Sequence, residues 1–110
     1  MKIRKVLALK EVAMDLYEGR LFYEHKEPGI GDYFFDSLIS DLESLKLYAG
    51  IHVKQFSLRR MLSKRFPFAI YYETDVDTAR VIAVLDMRRN PSWIREALGK
   101  RNSNESTHLE

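Results

Sequence analysis

Cysteine is absent from this 110-residue sequence, and only three prolines, five glycines and one tryptophan are present. Without thiols there is neither a disulfide framework nor a thiolate metal site, which removes disulfide-stapled scaffolds and zinc ribbons from consideration. The three histidines, His25, His52 and His108, lack the close pairing that zinc motifs use. No metal and no cofactor are expected. Long apolar runs are missing too: nothing approaches the roughly 18–20 residues that span a bilayer. The opening MKIRKVLALK has too short and too interrupted an apolar region for a signal peptide. The expected location is the cytoplasm, with no membrane partner.

A large excess of either charge is also lacking, since the net charge is only +2. That total hides an asymmetry. Residues 1–51 carry 7 basic against 9 acidic side chains, residues 52–101 carry 11 against 5, and residues 102–110 carry none against 2. A basic second half points to a polyanion such as nucleic acid, and an acidic protein partner explains it equally well.

What is present is a run of clear periodicities without repeat or linker. At this length one core suffices, burying about two thirds of the unfolded surface. Ile3 to Leu9, β-branched and flanked by lysine, reads as an edge strand. Glu11 to Lys26 reads as a helix with Ala13, Leu16, Tyr17, Phe22 and Tyr23 inward and Glu11, Asp15 and Glu18 outward. EPGIG at 27–31 stops it, and Asp32 to Tyr48 forms a second helix with Phe34, Leu38, Leu42 and Leu45 in its stripe. A short loop between two helices predicts an antiparallel hairpin.

After Gly50 the period changes to two, so one strand is expected from Lys54 to Leu62 and, beyond the turn SKRF, two more at Phe68 to Thr74 and Ala79 to Met87 around DVDT. Asn90 as N-cap, Pro91 at the first helical position and Gly99 just past the end bracket a short last helix carrying Trp93, Ile94, Ala97 and Leu98. The tail NSNESTHLE reads as disordered, its final Leu109-Glu110 as a cloning remnant, leaving residues 1–101 as a single domain. The predicted order is β-α-α-β-β-β-α: an α+β domain with a helical hairpin on one face of a mainly antiparallel four-stranded sheet.

Both central strands are apolar on both sides. Val81, Ala83, Leu85 and Met87 are expected to point one way and Ile82 and Val84 the other; Phe68, Ile70 and Tyr72 oppose Ala69 and Tyr71. Such strands require cover on both faces. The helical hairpin supplies one, and the short last helix is too small for the other, so an uncovered apolar sheet face is expected to await a partner.

The segments KRFPFAIYYETD and VIAVLDMRRNPSWI, with the helical KEVAMDLYEGRLFYEHKEPGIGDYFFDSLISDLESL, resemble the RelE/ParE superfamily of toxins from type II toxin-antitoxin (plasmid stabilisation) operons, over nearly all of residues 2–98. The resemblance implies a small growth-inhibiting toxin wrapped by its cognate antitoxin, with operator DNA reached only through that antitoxin. Phe68, Ile70, Tyr72, Ile82 and Val84 are the expected antitoxin-binding residues. Arg59, Arg60, Lys64, Arg65, Arg88, Arg89 and Trp93 are the expected contacts to the target or to a polyanion.

The resemblance implies two outcomes, and chemistry separates them. ParE-like members bind and inhibit DNA gyrase. RelE-like members cut messenger RNA on the ribosome, which without a metal requires a base, an acid and cations around the phosphorane; Lys64, Arg65 and Arg88 are the catalytic candidates for that alternative. The ribonuclease branch carries an arginine between the aromatics of the preceding strand, where this sequence has Ala69. It often carries a C-terminal tyrosine or histidine as well, where this sequence has Trp93 and Ile94. The sequence therefore sits closer to the ParE-like branch. A third reading is an inactive member that acts only in a complex of antitoxin and operator.

Overall fold

The computed structural model describes the backbone of residues 2–108 and the side chains of residues 2–101. Its elements run β1 (Lys5–Ala8), α1 (Lys10–Lys26), α2 (Ile30–Glu43), α3 (Leu45–Tyr48), β2 (Lys54–Gln55), β3 (Leu58–Leu62), β4 (Phe68–Asp75), β5 (Thr78–Asp86) and α4 (Pro91–His108). The sheet has the order β1-β5-β4-β3-β2, with β1 parallel to β5 and every other pair antiparallel. The expected α+β architecture and element order are present, with one strand more than predicted.

That extra strand comes from a turn with no glycine or asparagine to announce it. The strand expected from Lys54 to Leu62 folds back at Phe56 and Ser57, whose φ angles of 57° and 69° are both left-handed, and Gln55 pairs with Leu58 across the two-residue turn. The Phe56 ring packs against the α4-side core with the Arg95 guanidinium 5.4 Å from its centroid. Tertiary packing holds a conformation that neither residue favours locally. The second predicted helix is likewise interrupted at Ser44, whose hydroxyl donates to the Asp41 carbonyl at 2.6 Å and competes with the helical ladder.

The helical hairpin is tight because Gly19 of α1 faces the Phe34 ring; a β-carbon there would lie 2.4 Å from it. Gly29 turns the chain at φ 93°, and the Glu24 carboxylate accepts the backbone N–H groups of Gly29 and Gly31, capping the start of α2. The inward stripe of α1 is Val12, Asp15, Leu16 and Gly19. It is rotated from the prediction, which placed Ala13 and Tyr17 inside and Asp15 outside; Ala13 and Tyr17 are exposed.

A β-bulge decides the faces of β5. Tyr71 pairs with Ala83 but Tyr72 with Val81, so Ile82 is the extra residue. Ala79, Val81 and Val84 consequently join Phe68, Ile70 and Tyr72 beneath the helical hairpin, while Ile82, Ala83 and Leu85 join Ala69 and Tyr71 on the other side. Strict alternation, which grouped Val81 with Ala83 and Ile82 with Val84, fails for that reason.

The second face is closed. Ile94 and Leu98 of α4, with Leu9, Leu58 and Phe56, cover Ala69, Tyr71, Ile82, Ala83 and Leu85, none of which is more than 5 % exposed. The expectation of an uncovered sheet face is corrected: Ile94 and Leu98, both within the short helix the sequence predicts, close it together with Leu9, Leu58 and Phe56, and α4 itself continues through Gly99 to His108. Arg101 accounts for that continuation. Its guanidinium makes two hydrogen bonds to the Asp15 carboxylate, at 2.6 and 2.8 Å, and one to the Ile82 carbonyl at 3.1 Å. Residues 102–108 of the expected tail are helical, and Leu109-Glu110 lie outside the described residues.

Candidate binding site

Successive residues of a strand project to opposite faces, and this separates the first arginine pair. Arg59 of β3 turns to the helical-hairpin side and donates to the His52 carbonyl at 2.8 Å. Arg60 turns to the α4 side beside Tyr71, its Nε shut from solvent without an acceptor. Burial pushes the Tyr71 hydroxyl above the ordinary tyrosine range, and the charge and hydrogen bonding of Arg60 pull against that shift.

The second pair separates as well. Arg88 forms a two-point bridge to Asp86, at 2.9 and 2.8 Å, over the Phe22 ring and 3.5 Å from the Tyr23 hydroxyl. The Arg88 hydrogen bond holds the Asp86 carboxyl below its usual range, and the same bond raises the arginine. Arg89 goes the other way and stacks its guanidinium 4.3 Å from the Trp93 ring centroid. Lys64 and Arg65 are exposed in the turn between β3 and β4.

The seven predicted basic and aromatic contacts therefore do not form one patch. Arg60 and Arg89 meet at a pocket of about 140 Å³, which Phe56, Tyr71, Met87 and Ile94 help to line. A second opening, about 430 Å³, lies between α3 and β3 and is lined by Tyr48, His52, Val53, Leu62 and Lys64 among others. Around it Tyr48, Ile51, Val53 and Leu62 are half-exposed or more. This edge holds apolar surface of the kind a partner covers.

The five residues expected to bind an antitoxin have no free surface. Phe68, Ile70, Tyr72 and Val84 are buried under the helical hairpin and Ile82 under α4, none more than 6 % exposed. Two-faced apolar strands marked these positions correctly as needing cover, and the chain covers them itself.

Sequence reasoning passed over two constellations. The Tyr72 hydroxyl accepts the Gly50 N–H at 2.9 Å and shares a hydrogen bond with Nδ1 of His52. Burial, with Arg59 second, lowers the His52 pKa and keeps the ring neutral. The other is the pair Asp15 and Arg101, which are 86 positions apart. β1 ends at Ala8, so β5 runs on without a neighbour on that side; Asp15 accepts the Val84 N–H at 3.0 Å and Arg101 donates to the Ile82 carbonyl, taking the place of strand partners. An acidic residue on a helix facing a strand is the only local signal either constellation offered.

Among the candidates for catalysis, Arg88 is paired with Asp86 and Lys64 is exposed in the turn, while Ala69 is fully buried. No group of three or more His, Cys, Asp or Glu side chains is placed to hold a metal among the described residues, and no helix there is long and apolar enough to cross a membrane.

A parallel first strand, a helical hairpin on one face, antiparallel strands and a terminal helix on the other together define the RelE/ParE-like α+β fold. Among solved structures, the chain matches a chain of the "Chromosomal ParDE TA system from P. aeruginosa" with a TM-score of 0.69 and 13 % sequence identity, covering 78 % of this chain and 98 % of that one. At that identity the likeness is one of fold. No family model matches the chain, and no curated protein matches it.

Proposed function

We propose that this chain is the ParE-like toxin of a type II toxin-antitoxin system, that it acts by binding and inhibiting DNA gyrase, and that a cognate antitoxin neutralises it. The observation that carries this reading is the disposition of the basic residues. Arg88, a candidate for RNA cleavage, is locked to Asp86, and Ala69 is buried where the ribonuclease branch carries an arginine. Arg60, Arg89 and Trp93 remain to engage a partner, and arginines beside aromatic rings suit recognition of carboxylates or phosphates through paired hydrogen bonds and stacking.

Likeness of fold to a ParDE chain supports the toxin-antitoxin assignment. The antitoxin's contact surface is placed here at the apolar edge of Tyr48, Ile51, Val53 and Leu62, with the basic side chains of Arg60 and Lys64 next to it. Purified chain is expected to inhibit gyrase supercoiling in vitro, and the product of the adjacent reading frame is expected to relieve that inhibition. Cleavage of ribosome-bound message without gyrase inhibition would replace this reading with the RelE-like one. Expression that leaves growth unaffected would point to an inactive member.

A further inference from the structure

The pocket shared by Arg60 and Arg89 has two guanidinium groups and no carboxylate in its lining. Other arginines of the basic half are engaged by the chain itself: Arg59 by a carbonyl, Arg80 by Glu73, Arg88 by Asp86 and Arg101 by Asp15. Arg60 and Arg89 form no ion pair among the described residues; the charge of Arg89 reaches Asp86 only through space. A buried guanidinium N–H without an acceptor has lost its water and gained nothing in return. Arg60 keeps such a group at Nε.

We propose that this pocket takes a single carboxylate from the antitoxin, with Arg60 and Arg89 as its two cationic jaws and the Tyr71 hydroxyl beside them. The inference rests on the proposed toxin-antitoxin reading and names the chemistry of its contact. Size and lining favour a carboxylate over a nucleic-acid phosphate. A volume of about 140 Å³ walled by Phe56, Met87, Pro91 and Ile94 suits a carboxylate on a slim aliphatic stem, whereas a phosphodiester arrives with a nucleoside on each side. Nucleic acid is also held by many cations along its backbone, and here several of the arginines are already occupied. An arriving carboxylate that Arg60 turns toward supplies the acceptor its Nε lacks, and Arg89 is preset by its stacking on Trp93. Side-chain and chain-terminal carboxylates share this chemistry.

Two measurements test it. In the lone chain, the arginine Nε–Hε NMR signals of Arg60 and Arg89 are followed while sodium acetate, inorganic phosphate or chloride is added at equal ionic strength. Acetate is expected to produce a saturating shift of both signals, larger than that from either other ion; any other ranking overturns the proposal. Arg60→Gln and Arg89→Gln, with folding checked by circular dichroism, are then compared with the unaltered chain for affinity to the product of the adjacent reading frame. Each is expected to weaken binding by about 10- to 100-fold, the range of a hydrogen bond to a charged group. Amidating the partner's C-terminus identifies the source: a matching loss assigns the chain terminus, no loss a side chain, and both support the pocket. Unchanged affinity in both variants overturns the pocket and leaves the toxin-antitoxin reading standing. If the unaltered chain binds no such product, that reading fails, and the acetate series decides the pocket by itself.

Discussion

His52 shows how much one side chain acquires from its neighbours. In sequence it is a lone histidine after a turn; in the fold its Nδ1 shares a hydrogen bond with the hydroxyl of fully buried Tyr72, which is itself held by the Gly50 N–H. Burial first and the nearby Arg59 second lower its pKa from the ordinary 6.5. The unfolded chain therefore takes up the proton before the folded one does as pH falls. Stability from neutral His52 is complete above about pH 6.5 and declines below it until the folded-state value is passed. Urea midpoints measured between pH 8 and pH 5 should fall across that window, and His52→Asn should flatten this part of the profile. A variant that keeps the full slope would assign the pH dependence to other groups. The sequence offered no hint of this role, because Tyr72 lies 20 residues away and meets His52 only after β4 is in the sheet.

At the scale of elements, the α1–β5–α4 junction carries the most information. β5 outruns β1, and its bare backbone groups are met by Asp15 and Arg101 rather than by another strand. Both side chains are largely buried, at 6 % and 16 % exposure. Breaking a buried pair by neutralising one partner leaves an uncompensated charge and costs about 3–5 kcal/mol. Asp15→Asn should lower the chemical-denaturation midpoint by a corresponding amount, because the amide keeps an acceptor for the Val84 N–H but not the charge that Arg101 needs. An unchanged midpoint would mean that the junction is held by apolar packing alone. Helix and strand identities were legible from periodicity, since the stripes of α2 and β4 follow the spacing of their faces. The rotation of α1, the two-residue turn at Phe56 and Ser57 and the bulge at Ile82 were not legible, because each depends on residues distant in sequence.

For the whole molecule, the decisive feature is that α4 completes a three-layer arrangement: helical hairpin, sheet, single helix. Leu98 is 1 % exposed and stands over the bulged face of β5. Leu98→Ala should destabilise the fold by about 2–5 kcal/mol through lost burial and a residual cavity, read as a lower thermal midpoint together with increased binding of a hydrophobic dye. A neutral result would show that α4 is only loosely seated and that the sheet tolerates exposure. Closure of this face moves the proposed partner surface outward, from the centre of the sheet to its β2–β3 edge and to the basic pocket beside the start of α4. The predicted arginines remain relevant, but they divide between the two faces of the sheet.

Composition and periodicity by themselves determined the α+β class, the order of elements, the identity of the apolar strands and the basic second half, because these properties repeat along a few neighbouring residues and local geometry reads them directly. Which arginines are occupied and which are available, how far the last helix runs and whether the second sheet face is open were decided only by tertiary structure. Each depends on a pairing across the chain, as between Asp15 and Arg101, and no local period records a partner 86 residues away.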